Sequence, residues 1–344
     1  MRKPANFKVD YAGSLSLVAS IVPFLLALSW GRRDYPWASP VIVSMAMAGL
    51  VFAASFVFVE LRAAHPIVVL SPFRSSIVSV ALSTAFLTSA AMFGATLFIP
   101  LFVQSVLGSS ATDSGKILMT LSLLLTAIIA GQGISRMGRY RPFAIAGTAL
   151  SAVGMFLLTK MEPSTSYAVL VRNVAIIGIG LGAAMPVFNL AVQNAVEARM
   201  VGSATSMVQF VRSIGGTLGI AVLGSILSND FSTAFRRALP AGVNSEISPS
   251  VLESLAEAQL NLTSAGSRQL ETMLARSGLN TDAVTSAVSQ AARTALSASL
   301  HDVFEIAAAL LLCATVLTLF LRDIPLRKTN RREVDLNDEK LCEA

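Results

Sequence analysis

The chain has 344 residues, 54% of them apolar and only 13% charged, and its mean hydropathy is +0.67. Soluble chains carry about 25% charge, and they do not need apolar runs near twenty residues long, whereas a bilayer span does. The net charge of +6 comes from Lys and Arg set between apolar segments rather than on one face, which excludes a nucleic-acid surface. The two cysteines, Cys313 and Cys342, set neither a disulfide framework nor a metal-ligand spacing.

Residues 1–13 are polar, and no small-residue cleavage site follows the first apolar segment, so no cleaved signal peptide is expected. Eight spanning helices then follow from apolar length and polar flanks. They are expected at Ser14–Trp30, Pro40–Val59, Val78–Val103, Gly115–Ile134, Pro142–Thr159, Tyr167–Ala191, Ala204–Leu227 and Val303–Leu321. The expected fold class is therefore an all-α polytopic membrane protein. Its layout is a cytoplasmic segment at 1–13, two helices over 14–60, five over 78–228, a long extracytoplasmic loop with helical content over 229–302, a last helix at 303–321 and a basic cytoplasmic tail at 322–344.

Lys and Arg set the orientation. With the N-terminus in the cytoplasm, the inside segments hold 15 of them, and the short outside segments hold four: Arg32, Arg33, Lys116 and Lys160. Both termini are thus expected inside the cell (inner) membrane. Trp30, Tyr35 and Trp37 then fall at the outer interface, where an aromatic belt belongs.

The loop after Asn229 is rich in Ser, Ala, Thr and Gln. Ser248-Pro249 reads as an N-cap with proline at the first helical position. A second helical stretch opens at Thr281-Asp282, where Val284, Val288, Ala292 and Leu296 recur every four residues. This stretch is a candidate to run straight into the last span.

Polar side chains inside spans are the candidates for a substrate pathway. They are Gln104, Gln132, Asn173, Asn189, Gln193, Asn194 and Gln209, together with Arg212. Amides and guanidinium groups are expensive in lipid, so they should face the bundle interior or water. For Arg212 two roles stand open: a tie to helix-end carbonyls, or a substrate or gating role. Phe86, Met92, Phe93, Phe98 and Phe188 would add a soft apolar wall. Glycine clusters at Gly178 and Gly182, and at Gly215 and Gly219, suit close helix packing. Pro100 and Pro186 are candidate kinks. No Asp or Glu is expected near the centre of a span. Glu60, Asp113, Asp302 and Glu305 fall at helix ends, and His65 and His301 in flanking turns. Neither a nucleotide loop nor a catalytic constellation is visible, so no enzyme, cofactor or metal is expected.

Four segments carry a family resemblance: VDYAGSLSLVASIVPFLLALSWG (Val9–Gly31), FIPLFVQSVLGSSATDSG (Phe98–Gly115), GQGISRMGRYRP (Gly131–Pro142) and the run Gln193–Ser228 with Arg212 and its glycines. In order and spacing they resemble the fourteen-helix drug:proton antiporters of the major facilitator superfamily. The resemblance implies that 14–60 is the central pair of that fold and 78–321 its C-terminal half, with the first six helices missing. It implies a permease exporting lipophilic or cationic compounds against proton entry, embedded in the lipid bilayer and completed by a separate N-terminal half or a second copy. It implies a cytoplasmic gating loop at Gly131, Arg136, Gly138, Arg139 and Arg141, latched by an acidic partner that the sequence does not name. Lys116 after Gly115, and Thr120 where proline often stands, depart from the family pattern. The alternative is a non-transporting structural or regulatory subunit, or an inactive fragment of a pump. The orientation is testable: a fluorescent protein fused after Ala344 is expected to fluoresce in the cytoplasm, and a periplasmically active phosphatase there would reverse the topology.

Overall fold

The computed structural model describes residues 11–31, 35–62, 75–121, 124–197, 200–239 and 282–324. Among them the regular structure is helical: α1 (Tyr11–Trp30), α2 (Pro40–Arg62), α3 (Ser76–Leu101) running into a π-helical turn (Phe102–Val106), α4 (Ala111–Leu121), α5 (Leu124–Met137), α6 (Arg141–Leu158), α7 (Tyr167–Ala195), α8 (Val201–Ala238) and α9 (Asp282–Thr318). Seven helical stretches among the described residues are long and apolar enough to cross a membrane. The chain is an all-α, multi-pass membrane protein. The described residues of the expected span Gly115–Ile134 lie in α4 and α5, on either side of residues 122–123.

Local chemistry explains several ends. Ser110, Asp113 and Lys116 form a capping arrangement at α4. Ser110 Oγ accepts from the Asp113 N–H at 3.2 Å and donates to Asp113 Oδ2 at 2.8 Å. Hydrogen bonds from Lys116 and Ser110 hold the Asp113 carboxyl below its ordinary value. Gly138 adopts a left-handed φ of +66° just past α5, and its N–H closes on Ile134 O at 2.8 Å. Pro100 removes a donor near the end of α3, and the π-helical turn follows directly.

The helices from α3 to α9 pack as a bundle with the α1–α2 hairpin beside it. α6 lies along α7, α3 along α8, and α9 contacts α8, α6 and α3; α1 pairs with α2 and reaches the bundle through α8. Only 11% of the most apolar window of either α1 or α2 is buried, against 56% in the stretch containing α3, so the hairpin is peripheral. One apolar core includes Phe98, Leu223, Phe231 and Phe235. A second holds Tyr140, Phe188, Val208 and Leu321 at the opposite end.

Glycine sets the closest approaches. A Cβ on Gly215 would fall 2.5 Å from Phe86 O, and one on Gly219 2.5 Å from Ala90 Cα, so α8 meets the α3 backbone directly. On α7 the close contact is Gly180, which faces Gly147 O and Ser151 of α6. Gly178 is buried and Gly182 half-buried on the same helix.

Two helices reach into the segment 229–302, where helical content is expected. α8 continues to Ala238, and α9 begins at Asp282 and runs unbroken into the last span. Val288, Ala292 and Leu296 are buried, which gives this extension an apolar seam. Asp302 and Glu305 therefore lie within a long helix rather than at its start, and His301 is helical rather than in a turn, its Nε2 3.9 Å from Glu305 Oε2. The exposed stripe of α9 changes character there. Ser286, Gln290, Arg293, Thr294, Asp302 and Glu305 give way to Leu312, Cys313 and Val316. The segments at Ser248-Pro249 and His65 lie outside the described residues.

Gly219→Leu is expected to lower the melting temperature of the detergent-solubilised protein, because overpacking costs about 1–3 kcal/mol. Gly224→Ala, where a Cβ meets nothing within 4 Å, is expected to leave it within experimental error.

Candidate functional site

α8 carries a polar row on its exposed side. Ser206, Gln209, Ser213 and Thr217 are exposed, and Arg212 is half-buried beside them. The row arises because positions four apart share one face of a helix. Ser213 Oγ donates back to Gln209 O at 3.0 Å and Thr217 Oγ1 to Ser213 O at 2.9 Å, so these hydroxyls are satisfied within the helix. The Gln209 amide and the Arg212 guanidinium are not so easily accommodated. Arg212 Nη1 reaches Gln209 Oε1 at a long 3.4 Å, and its buried Nε has no acceptor among the described residues. Arg212 stands about 17 Å along α8 from Val201, at 1.5 Å per residue, well inside a candidate span.

The other amides divide into two groups. Gln193 Nε2 donates to Thr205 Oγ1 at 2.9 Å and ties α7 to the start of α8. Asn194, 9% exposed, donates to Ile324 O at 3.2 Å. Asn173 is buried, donating to Leu157 O at 3.3 Å and accepting from Arg172. These three are ties between elements. Gln104 and Gln132 are exposed and Asn189 is half-buried. Gln104 sits in the π-helical turn at the far end of α3, distant along the bundle from Gln132 on the last turns of α5. The candidates thus do not converge on one point; Gln209 and Arg212 are the pair brought together. Of the expected apolar wall, Phe98 and Phe188 are core residues, whereas Phe93 is 38% exposed.

At the opposite end lies a polar knot centred on Tyr140, which is fully buried. Its hydroxyl donates to Arg322 O at 2.8 Å and accepts from the Ile324 N–H at 3.2 Å. Burial raises its pKa above the ordinary phenol value. Asp323 Oδ1 accepts from the backbone N–H groups of Tyr140 at 3.2 Å and Arg141 at 2.9 Å. A carboxylate from past the end of α9 therefore caps the N-terminus of α6, where the helix dipole favours negative charge. Arg141 Nη2 adds a bond to Leu319 O at 2.6 Å. With Asn194, the knot joins the ends of α6, α7 and α9.

This knot includes an acid for the turn Gly131–Pro142 that its own sequence does not supply. Asp323 escapes a reading along the chain because it lies about 180 residues away, and only the adjacent run of apolar sequence ending at Leu321 hints at a helix end. Within the turn, Arg136, Gly138 and Arg139 are exposed, and Gly131 has open space where a Cβ would sit. Gly133, not Gly131, is the close approach, against the Phe143 ring. His301, Asp302 and Glu305 bring one ligand atom each within 4.8 Å of one another, a spacing that a solvated helix face forms without an ion.

The family model described as Major Facilitator Superfamily matches residues 11–220 of this chain. The multidrug transporter protein MdtP of Bacillus subtilis is 33% identical over 358 residues, covering 99% of this chain and 63% of that protein. An uncharacterised MFS-type transporter of Mycobacterium tuberculosis is 31% identical, covering 98% of this chain and 46% of its own length. Multidrug resistance protein 3 of B. subtilis is 31% identical over 263 residues, covering 76% and 51%. The chain thus spans roughly half to two thirds of the length of these relatives.

Asp323→Ala is expected to destabilise the protein by about 1 kcal/mol, the usual loss for a missing N-cap. Asp323→Asn, which keeps an acceptor, is expected to lose less. Thermal unfolding of both variants in the same detergent checks this, and equal losses would rule out the capping role.

Proposed function

The chain belongs to the major facilitator superfamily, and from that premise we propose that it is the central pair and C-terminal bundle of a proton-coupled drug exporter of the fourteen-helix type. Its substrates are lipophilic compounds, and it resides in the cell membrane with both termini in the cytoplasm. It works by rocking against a second bundle, supplied by further chain, by a separate half or by a second copy.

One observation carries the reading: the exposed row Gln209–Arg212 on α8. The exposed faces of α6 and of the last turns of α9 are apolar, with Leu150, Val153 and Phe156 on one and Leu312 and Val316 on the other. Those faces suit lipid. A glutamine and an arginine inside a span do not, because each costs several kcal/mol in hydrocarbon. The α8 face therefore belongs to water or to protein, as the wall of a pathway between two bundles does. The names of the relatives from B. subtilis, a multidrug transporter and a multidrug resistance protein, support the substrate class. Arg212 is assigned to hold polar groups of the substrate at that wall, and the knot around Tyr140 and Asp323 to keep the inner ends of α6, α7 and α9 moving as one body.

Arg212→Ala tests the assignment. Energised export of a fluorescent lipophilic dye from cells carrying the chain, with its second bundle where one is needed, is expected to fall about tenfold or more at unchanged protein level, the loss of roughly 1.4 kcal/mol of transition-state stabilisation. Export is also expected to stop when the proton gradient is collapsed. Unchanged export would remove Arg212 from the pathway, and loss of the protein itself would make it a structural tie.

A further inference from the structure

The geometry points to a binding cleft for uncharged lipophilic molecules between α1 and α8, outside the bundle itself. Leu25, Leu28 and Ser29 form one wall and Thr217, Ala221 and Gly224 the other, enclosing about 450 Å³. That volume falls within the usual range for small-molecule sites, roughly 300–1,000 Å³. The inference rests on the transport reading only for the statement that the occupant is a transported compound.

Three observations carry it. First, Gly224 opens onto space: a Cβ there would meet no atom within 4 Å, whereas Gly215, Gly216 and Gly219 on the same helix press against α3. The glycine series of α8 is thus packing glycine at one end and cleft glycine at the other. Second, the lining includes no charged side chain among the described residues; its polar groups are hydroxyls set among apolar walls. A cation would find no carboxylate among these lining residues. Third, the i, i+4 row that starts at Gln209 and Ser213 continues through Thr217, Ala221 and Ser225, and these last three line the cleft. The cleft is the continuation of the polar row toward the end of the bundle that bears Trp30 and Tyr35.

These features favour a compact molecule with an apolar body and a few hydrogen-bonding groups over a lipid acyl chain. A long hydrocarbon chain gains nothing from hydroxyls in its groove. The peripheral hairpin acquires a role as well, since α1 supplies the second wall of a site that α8 alone could not enclose.

The test uses the full chain in lipid nanodiscs. An uncharged aryl diazirine of drug size is photolysed in place and the labelled peptides are mapped, with a diazirine acyl-chain phosphatidylcholine run in parallel. Label from the first probe is expected on 25–31 and 217–228 and is expected to be displaced by excess of an unlabelled uncharged lipophile. Gly224→Trp and Ser29→Phe fill the cleft from opposite walls, and each is expected to cut that label about tenfold, equivalent to roughly 1.4 kcal/mol of binding. Size-exclusion profiles of both variants check the fold, and the second variant decides if the first does not fold. Label unaffected by either substitution, or a cleft labelled by the acyl-chain probe and not cleared by the unlabelled lipophile, overturns the proposal. Labelling as expected in a protein that exports no dye sinks the transport reading and leaves the cleft standing. Export with no label at the cleft does the reverse.

Discussion

Hydrocarbon offers no partner for a backbone N–H or C=O, so each spanning segment must satisfy its own, and a helix is how a single segment does so. Everything else in this molecule is arranged around that constraint. With backbone groups already used, helices cannot be joined by backbone bonds and must be joined by contact. Small residues make the contact close: Gly215 on Phe86, Gly219 on Ala90, Gly154 on Ile177 and Gly147 on Gly180. These pairs put α3 against α8 and α6 against α7, the two broadest interfaces of the bundle.

Where the helices reach water the constraint relaxes, and polar chemistry takes over. The knot at Tyr140 is a concentrated instance. Asp323 supplies acceptors that the first turn of α6 lacks, and the Tyr140 hydroxyl both donates to and accepts from the chain that follows α9. Asn194 closes the ring from α7. Three helix ends are thereby fastened by groups that would be costly one turn deeper. The exposed stripes obey the same rule. Apolar stripes on α6 and α9 are a lipid boundary, and the polar row on α8 is a face reserved for something else.

Much of the fold was legible along the chain. Transfer energy is a sum over residues, so apolar runs of sufficient length announce spans without any knowledge of neighbours. That is why α1, α2, α3, α6 and α7 fall where apolar length placed them, and why the period of Val288, Ala292 and Leu296 foretold the start of α9. It is also why the extension of α8 to Ala238 was not foreseen: hydropathy falls away in polar helix as it does in loop.

The site was legible in kind but not in arrangement. Sequence alone determined that the chain is helical, membrane-embedded and similar to a transporter family, and that Gln209 and Arg212 are anomalous for lipid. Only the tertiary structure decided which amides are ties and which face outward. It separated Gln193, Asn194 and Asn173, bonded to neighbouring elements, from Gln104, Gln132 and Gln209, which are exposed. It alone brought Asp323 to Tyr140 and set α1 across from Gly224. The physical reason is that a residue's cost in the membrane is its own, whereas its partner is chosen by the packing of distant helices.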